Sequence, residues 1–376
     1  MNNKIRILII SEGFGKELYG VSHVILKLNE WLRSHDVVCR ILVVNVGDIS
    51  DIEVDIKKIP VNSFRNPFQW HPGLYRFFVN EMVGFEPDVV HVHGVFTFVQ
   101  RMAVKAAQTI GIPVLLSLHG MLDDWIWKQK GLLYAMVKRV YWYTLMFPVF
   151  KKVAYIHVIT KMESEVATYE LPKIPQILIP NAIDFFNLPK LGGQPQKVFL
   201  FLGRLHPVKG VDLLINAFYR ANLQNDWRLV IAGPDYDPEY GRQLRQQARN
   251  LELGDRVQFI GPVYGSEKYS LLQNAWVVVV PSFSEVISMV NLEASALFTP
   301  TITTYATGLH DWEQGGGLRV DSNEDQLSQA LAKTASWSLS ERLRYGEQAR
   351  QFVKNRYGWD TIGQKWLAAY QLIKLS

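Results

Sequence analysis

Short apolar runs that recur between longer helical segments constrain the fold of this chain more than any other feature. The runs are nearly continuous instead of alternating between apolar and polar residues, which is typical of strands buried on both faces of a parallel sheet. The first half of the chain contains IRILII (5–10), CRILVV (39–44), DVVHVHG (88–94), PVLLSLHG (113–120) and YIHVIT (155–160). We therefore expect these five segments to be neighbouring buried strands.

Helical patterns fill the intervals between these runs. The segment GVSHVILKLNEWLRSH (20–35) places Val24, Leu28 and Leu32 on one face. The segment FVQRMAVKAAQTIG (98–111) ends at a glycine, which suits a helix C-cap. A repeated order of strand, helix and strand predicts an open α/β sheet.

The same pattern starts again after FNLPKLGGQPQK (186–197), whose two prolines and two glycines indicate a linker. Further strands are predicted at VFLFLG, WRLVIAG, VQFIG, AWVVVVP and TPTITT, with helices at VDLLINAFYRANL and EYGRQLRQQARNLEL. The chain is therefore expected to form two Rossmann-like α/β domains, over 1–185 and 197–357, joined by a linker over 186–196. Such domains are expected to face each other across a cleft at the carboxyl ends of their strands, where ligands bind.

Composition sets broad limits on the class of protein. The chain has 376 residues, of which 48% are apolar and 20% charged, as in a globular protein with sizeable cores. The single cysteine, Cys39, excludes an intramolecular disulfide and a cysteine-based zinc cluster within the chain. The beginning of the sequence lacks a signal-peptide pattern, so we expect a cytoplasmic protein. A net charge of +5 favours anionic partners without indicating nucleic acid.

The segment FLGRLHPVKGVDLLINAF (201–218) places two cations, Arg204 and Lys209, between a predicted strand and a predicted helix that opens near Val211. A guanidinium can bind two oxygens, an ammonium supplies a point charge, and a helix N-terminus offers free amide donors. This arrangement suits a diphosphate. The alternative is a solvated basic turn, which the strand, glycine and helix context disfavours.

The segment PSFSEVISMVNLEASALFTP (281–300) keeps two acids, Glu285 and Glu293, among apolar residues. Glu285 is predicted at or just before a helix start, and eight helical residues would separate the two acids by ~12 Å, which is too far for a glycosidase-type pair. Carboxylates accept hydrogen bonds from vicinal hydroxyls, so the acids and the basic loop together suit a nucleotide sugar. The alternative is a solvated helix face, where the apolar neighbours would be out of place.

Several motifs, in their order and spacing, resemble glycosyltransferase family 4, whose members are retaining enzymes with the GT-B fold. GRLHPVKG resembles the Gly-Arg-x4-Lys-Gly loop, SEVISMVNLEA the Glu-x7-Glu segment, and PNAIDF the Pro-Asn-Gly-Val-Asp strand exit of the family. HGMLDDWIWKQK and PDVVHVHG are similar to the family's histidine loop and its preceding strand. YGWDTIGQKWLAAYQLI resembles a C-terminal helix that returns to the first domain, which implies such a helix over 358–376.

The resemblance implies a role for each matching residue. Arg204 and Lys209 would hold the donor diphosphate, Glu293 the nucleotide ribose, and Glu285 the hydroxyls of the donor sugar. His119 would lie beside the reacting carbon, and Gly20 would let backbone approach the donor phosphate or the acceptor. As a lone histidine, His119 could also simply end a strand. The sequence departs from the family where Val286, Ile287 and Ser288 replace a Gly-Phe-Gly segment that contacts the sugar.

The implied enzyme is a retaining hexosyltransferase that uses a nucleotide-diphosphate sugar and needs no cofactor or metal, because cations at the diphosphate already stabilise the leaving group. One competing signal is PDYDP (234–238), where Asp235 and Asp237 are reminiscent of a metal-binding aspartate pair. Its position in a proline-flanked turn favours a surface loop. A nucleotide-sugar epimerase and a non-catalytic nucleotide-sugar-binding protein remain as alternatives, since the fold does not decide between them.

The segment WIWKQKGLLYAMVKRVYWYTLMFPVFKK (125–152) combines aromatic residues with lysines. Lys138, Arg139 and Pro148 argue against a membrane span. The segment could lie on an anionic bilayer or be a core helix with a basic outer face, and the pattern fits both. With a glycan or lipid-linked acceptor, the first interpretation predicts a cytoplasmic enzyme peripheral to the inner face of the membrane.

Overall fold

The computed structural model describes residues 4–15, 20–50, 52–61, 66, 68–123, 127, 131–185 and 194–376. The chain divides into two compact units, Met1–Ala182 with Ile362–Ser376, and Ile183–Thr361. Residues 186–193 of the predicted linker lie outside the described residues. No helix in the described part of the chain is long and apolar enough to cross a membrane.

The first unit is built on a seven-stranded parallel sheet in the order β3-β2-β1-β4-β5-β6-β7. Its strands are β1 (Arg6–Phe14), β2 (Val38–Val46), β3 (Asp55–Lys58), β4 (Val89–His93), β5 (Val114–Ser117), β6 (Tyr155–Val158) and β7 (Gln176–Leu178). The five strands predicted from the apolar runs are confirmed. Every residue of β4 and β5 is buried, as expected for strands covered on both faces.

Helices connect these strands and cover the sheet. They are α1 (Val21–Arg33), α2 (Leu74–Phe85), α3 (Phe98–Ile110), α4 (Leu132–Tyr141), α5 (Phe147–Phe150) and α6 (Lys161–Glu170). The predicted C-cap at Gly111 is confirmed, because this glycine has the left-handed conformation with φ 82°. Between α4 and α5 the chain continues as a π-helical segment, Trp142–Met146.

The second unit contains a six-stranded parallel sheet in the order β10-β9-β8-β11-β12-β13. Its strands are β8 (Val198–Leu202), β9 (Arg228–Ala232), β10 (Val257–Gly261), β11 (Val277–Val280), β12 (Thr301–Thr304) and β13 (Leu318–Val320). Its helices are α7 (Val211–Arg220), α8 (Pro238–Asn250), α9 (Gly265–Asn274), α10 (Met289–Ala296), α11 (Glu324–Ala335) and α12 (Leu339–Tyr357). The strand order reverses between β8 and β11, which is where a doubly wound sheet opens a crevice for ligands.

The last helix, α13 (Trp359–Lys374), ends in the first unit, to which residues from Ile362 onward belong. It packs closely on α1, since a Cβ added at Gly363 would lie 2.1 Å from the Trp31 ring. Trp366 and Tyr370 are buried on the same helix. Any side chain larger than hydrogen at position 363 would therefore push the helix away from α1.

Candidate functional site

Two loops meet at the carboxyl edge of the second sheet, where its strand order reverses. The loop after β8 and the loop after β11 are joined by the backbone N–H of Phe283, which donates to the Val208 carbonyl at 2.8 Å. Gly210 makes this approach possible: it has φ 65°, and an added Cβ would lie 2.3 Å from the Pro281 carbonyl oxygen. The sequence therefore fixes both loops through one residue that has to be glycine.

These loops bring Lys209 and Glu285 together. The Lys209 Nζ lies 3.1 Å from the Glu285 Oε1, and the two side chains are only 23% and 15% exposed. The same oxygen accepts a hydrogen bond from the Ser282 hydroxyl at 2.6 Å. The pair is thus held in a defined position at the edge of the sheet, and the sequence predicted both residues but not their direct contact.

Arg204 lies in the same loop, with its side chain exposed. Its guanidinium lies over the Tyr236 ring, 5.8 Å from the centroid, and has no carboxylate partner in the part of the chain that the structure describes. Burial and the nearby charges of Arg204 and Lys209 lower the pKa of His206, which therefore remains neutral between two cations. The loop keeps a positive field suited to an anionic ligand.

Glu293 lies in α10 and is held by a cation that the sequence analysis missed. Its Oε1 accepts from the Lys268 ammonium at 2.7 Å. Its other oxygen, Oε2, is buried and has no hydrogen-bond partner among the described residues. A buried carboxylate oxygen without a donor is an unusual and costly arrangement, and a ligand hydroxyl would satisfy it. No motif around Lys268 in α9 would have revealed this role.

Glu285 and Glu293 are not joined by a continuous stretch of helix. The helix begins at Met289, so Glu285 lies four residues before it, in the loop that follows β11. The helical rise of ~1.5 Å per residue therefore does not give the separation of the two acids. In the segment 286–288, where the sequence departs from the family pattern, Ile287 is buried. The Ser288 Oγ is also buried and has no hydrogen-bond partner among the described residues.

The competing aspartate pair is engaged in local structure. Asp235 accepts hydrogen bonds from the Arg245 guanidinium, at 3.2 Å for the closest oxygen. Asp237 caps α8 by accepting from the backbone N–H of Glu239 at 3.0 Å. These contacts favour the surface-turn interpretation of PDYDP. Within the described ranges, no group of three or more His, Cys, Asp or Glu side chains is arranged to hold a metal ion.

In the first unit, His119 follows β5 in the left-handed conformation, with φ 52°. This conformation is uncommon for a residue with a Cβ and marks a position that its surroundings hold in place. One ring nitrogen, Nε2, lies 2.8 Å from the His93 Nδ1. The structure therefore places His119 at a strand end and fixes both its backbone and its ring.

A chain of buried hydrogen bonds lies behind His119. The His157 Nε2–H donates to the Ile179 carbonyl at 2.8 Å, which leaves His157 Nδ1 to accept from the Ser117 hydroxyl at 2.7 Å. The Ser117 oxygen then accepts from His91 Nε2–H, and His91 Nδ1 accepts from the Tyr370 hydroxyl, both at 2.7 Å. The carbonyl at one end thus sets every tautomer along the chain.

Burial keeps these histidines neutral. It lowers the pKa of His119 to about 3, with a further contribution from His157, and lowers that of His157 to about 4. The pKa values of His91 and His93 are also well below the usual range, mainly because of burial. A neutral imidazole can donate one hydrogen bond and accept another, but it brings no positive charge to a substrate.

Gly20 precedes α1 and is exposed, with φ 72° and open space where a Cβ would be. The positive φ accounts for a glycine at this position. Residues 16–19 of the same loop, including Tyr19, lie outside the described residues.

Two family models match the chain. Residues 19–185 match the model described as Glycosyltransferase Family 4, and residues 187–352 match the one described as Glycosyl transferases group 1. An uncharacterized glycosyltransferase from Methanocaldococcus jannaschii is 31% identical over 181 residues, which cover 47% of this chain and 45% of that protein. A glycogen synthase from Mycobacterium tuberculosis is 27% identical over 298 residues, or 75% of this chain and 69% of that one.

The first curated relatives are longer than the matching region, and the chain spans less than half of their length. Among solved structures, Anabaena HepE in complex with UDP-glucose is similar with a TM-score of 0.75 and 16% identity, covering 98% of this chain and 99% of that one. At this identity the likeness concerns the fold, and the chain contains the two parallel-sheet α/β domains that were expected.

Proposed function

Because the chain belongs to the family 4 glycosyltransferases with the GT-B fold, we propose that it transfers a hexose from a nucleotide-diphosphate sugar to a glycan or lipid-linked acceptor. The transfer retains the anomeric configuration and contributes to polysaccharide or glycolipid biosynthesis. The structure of HepE contains UDP-glucose, which makes UDP sugars the first donors to test.

The observation that carries this proposal is the ion pair of Lys209 and Glu285 at the edge of the second sheet. With Arg204 nearby, the loop after β8 offers two cations to a diphosphate, while Glu285 and the free oxygen of Glu293 offer acceptors for hydroxyls. A nucleotide sugar has hydroxyls on both sides of its diphosphate. The same set of residues would thus bind the donor sugar, the diphosphate and the ribose of one ligand.

The proposed chemistry follows from where charge develops. Breaking the anomeric bond makes the sugar positive and the departing diphosphate more negative, so Arg204 and Lys209 stabilise the transition state more than the ground state. We propose that these cations replace a metal ion. His119 is proposed to contact the donor sugar beside the reacting carbon as a neutral hydrogen-bonding group, in keeping with its low pKa of about 3.

The proposed function is tested with a panel of nucleotide sugars. The correct donor should raise the melting temperature of the protein, because a ligand that binds the folded state stabilises it. That donor should then be consumed only when an acceptor is present, and activity should persist in EDTA. Donor isomerised without acceptor would instead establish an epimerase, and binding without turnover a non-catalytic protein. Loss of activity in EDTA that manganese restores would contradict the metal-free mechanism.

We further propose that α4 docks on an anionic membrane surface. None of its residues is buried, and Leu132 and Leu133 are 80% and 77% exposed. Together with three further exposed residues they form an apolar stripe along one face of α4: Leu132, Leu133, Met136, Val137 and Val140. Residues 131–152 carry four cations and no acid, which suits anionic lipid headgroups. For 132–141, this exposure contradicts the alternative of a core helix.

A double variant, Leu133→Glu with Val137→Glu, tests the membrane surface. We expect its binding to phosphatidylcholine vesicles that contain phosphatidylglycerol to fall at least about tenfold, because burying one such side chain contributes about 1.5–3 kcal/mol. Co-sedimentation at low salt measures the bound fraction. Leu343→Glu, at an exposed leucine of α12, is the matched control and should bind as the wild type does. Equal vesicle binding by the double variant and the wild type would refute docking. A wild-type dimer in light scattering that the double variant no longer forms would also refute it, because α4 would then be a dimer interface.

A further inference from the structure

A buried glutamate in α6 joins the turn that carries His119 to the rest of the first unit. Glu163 is only 6% exposed. Its Oε1 accepts from the backbone N–H of Gly120, and its Oε2 accepts from the backbone N–H of Ile159 at 2.6 Å. One carboxylate thus connects the loop after β5, the end of β6 and the first turn of α6.

Helix capping does not explain these contacts. Thr160 caps α6 and accepts from the Glu163 N–H at 3.2 Å, which is the first half of a capping box. In a complete capping box the Glu163 carboxylate would bind the backbone N–H of Thr160. Here it instead binds one amide before the cap and one amide in a different loop. The contact with Gly120 therefore holds the loop after β5 in place and does not cap the helix.

The amide of Gly120 belongs to the peptide unit that directly follows His119. Both residues have the left-handed conformation, with φ 52° at His119 and 70° at Gly120. A residue with a Cβ adopts this conformation only where its surroundings hold it. Because the Glu163 carboxylate fixes the orientation of the peptide between them, it also fixes the direction in which the His119 side chain leaves the backbone.

The charge state of Glu163 makes this role more specific. No lysine or arginine forms an ion pair with it in the ranges that the structure describes. Burial raises the pKa of Glu163 to about 6, and the charge on Asp123 adds to this, while the two backbone hydrogen bonds oppose it. An ionised carboxylate buried without a cation reduces stability at neutral pH, so global stability does not account for it.

We propose that Glu163 is a positioning residue for glycosyl transfer, which holds the His119–Gly120 turn in its left-handed conformation and thereby aims the His119 ring. This inference rests on the proposed function, in which His119 contacts the donor sugar. The ring itself is held by His93, whose Nδ1 lies 2.8 Å from the His119 Nε2. Glu163 controls the backbone and His93 controls the ring.

This role predicts a pH dependence. Protonation converts one carboxylate oxygen into a hydroxyl, which is a much weaker acceptor, so the hydrogen bond from one of the two backbone N–H groups is weakened. Asp123 is the titratable group whose charge acts on Glu163. His119 and His157 lie within two residues of the backbone amides of Gly120 and Ile159 that Glu163 binds. The two histidines have pKa values of about 3 and about 4, so they do not titrate near 6. We expect kcat to fall as the pH drops through about 6.

Glu163→Gln tests the proposal, with Glu165→Gln as the matched control at an exposed position of the same helix. We expect kcat of Glu163→Gln to fall at least about tenfold, because the His119 ring would no longer be aligned with the donor sugar and a small misplacement of such a group slows the reaction by that much or more. The donor KM should change little. The fall in kcat near pH 6 should be present in the wild type and in Glu165→Gln, and absent from Glu163→Gln. If Glu163→Gln does not fold, Glu163→Asp keeps the charge, shortens the reach and should also lower kcat.

Hydrogen exchange supplies a readout that does not depend on turnover. Peptides covering residues 114–123 should exchange at least about tenfold faster in Glu163→Gln than in Glu165→Gln or the wild type. Unchanged exchange together with an unchanged pH profile would overturn the proposal. A wild-type protein without any turnover would instead refute the proposed function, while the exchange rates would still decide whether Glu163 holds the turn.

Discussion

Replacing Lys209 with methionine is expected to lower kcat by about 10²–10³-fold, the usual effect of removing one preorganised group that stabilises a developing negative charge. Methionine keeps most of the length of the side chain and removes its charge. The Glu285 carboxylate would remain, still bound by the Ser282 hydroxyl but without its cation. Its negative charge would then oppose the diphosphate instead of being balanced, which adds to the loss.

Steady-state kinetics at saturating donor measure this effect, with far-ultraviolet circular dichroism as the check on folding. Lys197→Met is the matched control, because Lys197 pairs with Asp226 in an exposed ion pair 2.6 Å long at the start of the same sheet. Exposed pairs of this kind contribute little, so the control should keep the kcat of the wild type. If kcat of Lys209→Met stays within about threefold of the wild type, Lys209 does not stabilise the leaving group.

The central strands of both sheets follow directly from the sequence, because strands buried on both faces are apolar without interruption. The strands that were missed are short ones at the sheet edges: β3, β7 and β13. Strand β3 reads Asp-Ile-Lys-Lys and is mostly exposed, and β7 has only three residues. Nothing in such segments differs from a loop until a neighbouring strand is present to pair with them.

The candidate site was predicted in parts. Local motifs identified Arg204, Lys209 and the two glutamates, since each motif is one continuous stretch of sequence. Their partners come from elsewhere in the chain. Lys268 meets Glu293 from another helix, and the residues that lock His119 lie on β4 and α6. Histidines within apolar strands are unusual, so the buried histidine cluster could have been suspected from the sequence. Thr160 and Glu163, in contrast, have the spacing of an ordinary capping box, so the role of Glu163 could not.

The segment over 125–152 shows a different limit of sequence reasoning. Its pattern predicted either a membrane-surface helix or a core helix. The structure shows an exposed part and a partly buried part. No residue of α4 is buried, whereas Trp142 and Met146 in the π-helical segment and Phe150 in α5 are buried. Periodicity alone does not decide this, because both kinds of helix have the same spacing of apolar residues. Residues 125, 126 and 128–130 lie outside the described residues.

Replacing Arg342 with methionine is expected to destabilise the second unit by about 3–5 kcal/mol, because it removes the donors of a buried polar network. Arg342 is 2% exposed, burial lowers its pKa to about 10, and no carboxylate pairs with it among the described residues. Its guanidinium instead donates to the carbonyls of Ala275, Trp276 and Phe298, at 2.7, 3.1 and 2.9 Å.

These carbonyls lie just before β11 and just after α10, the two elements that lead to Glu285 and carry Glu293. Without the guanidinium these carbonyls would stay buried and unpaired. The free energy of unfolding of the second unit would fall, and the loop and helix that carry Glu285 and Glu293 would be held less firmly. Urea denaturation measures the loss. Arg344→Met is the matched control on the same helix, where an exposed guanidinium lies over the Tyr345 ring at 4.9 Å, and it should cost no more than about 0.5 kcal/mol. Equal midpoints for the two variants would show that water replaces Arg342 at these carbonyls and that the network does not hold the site together.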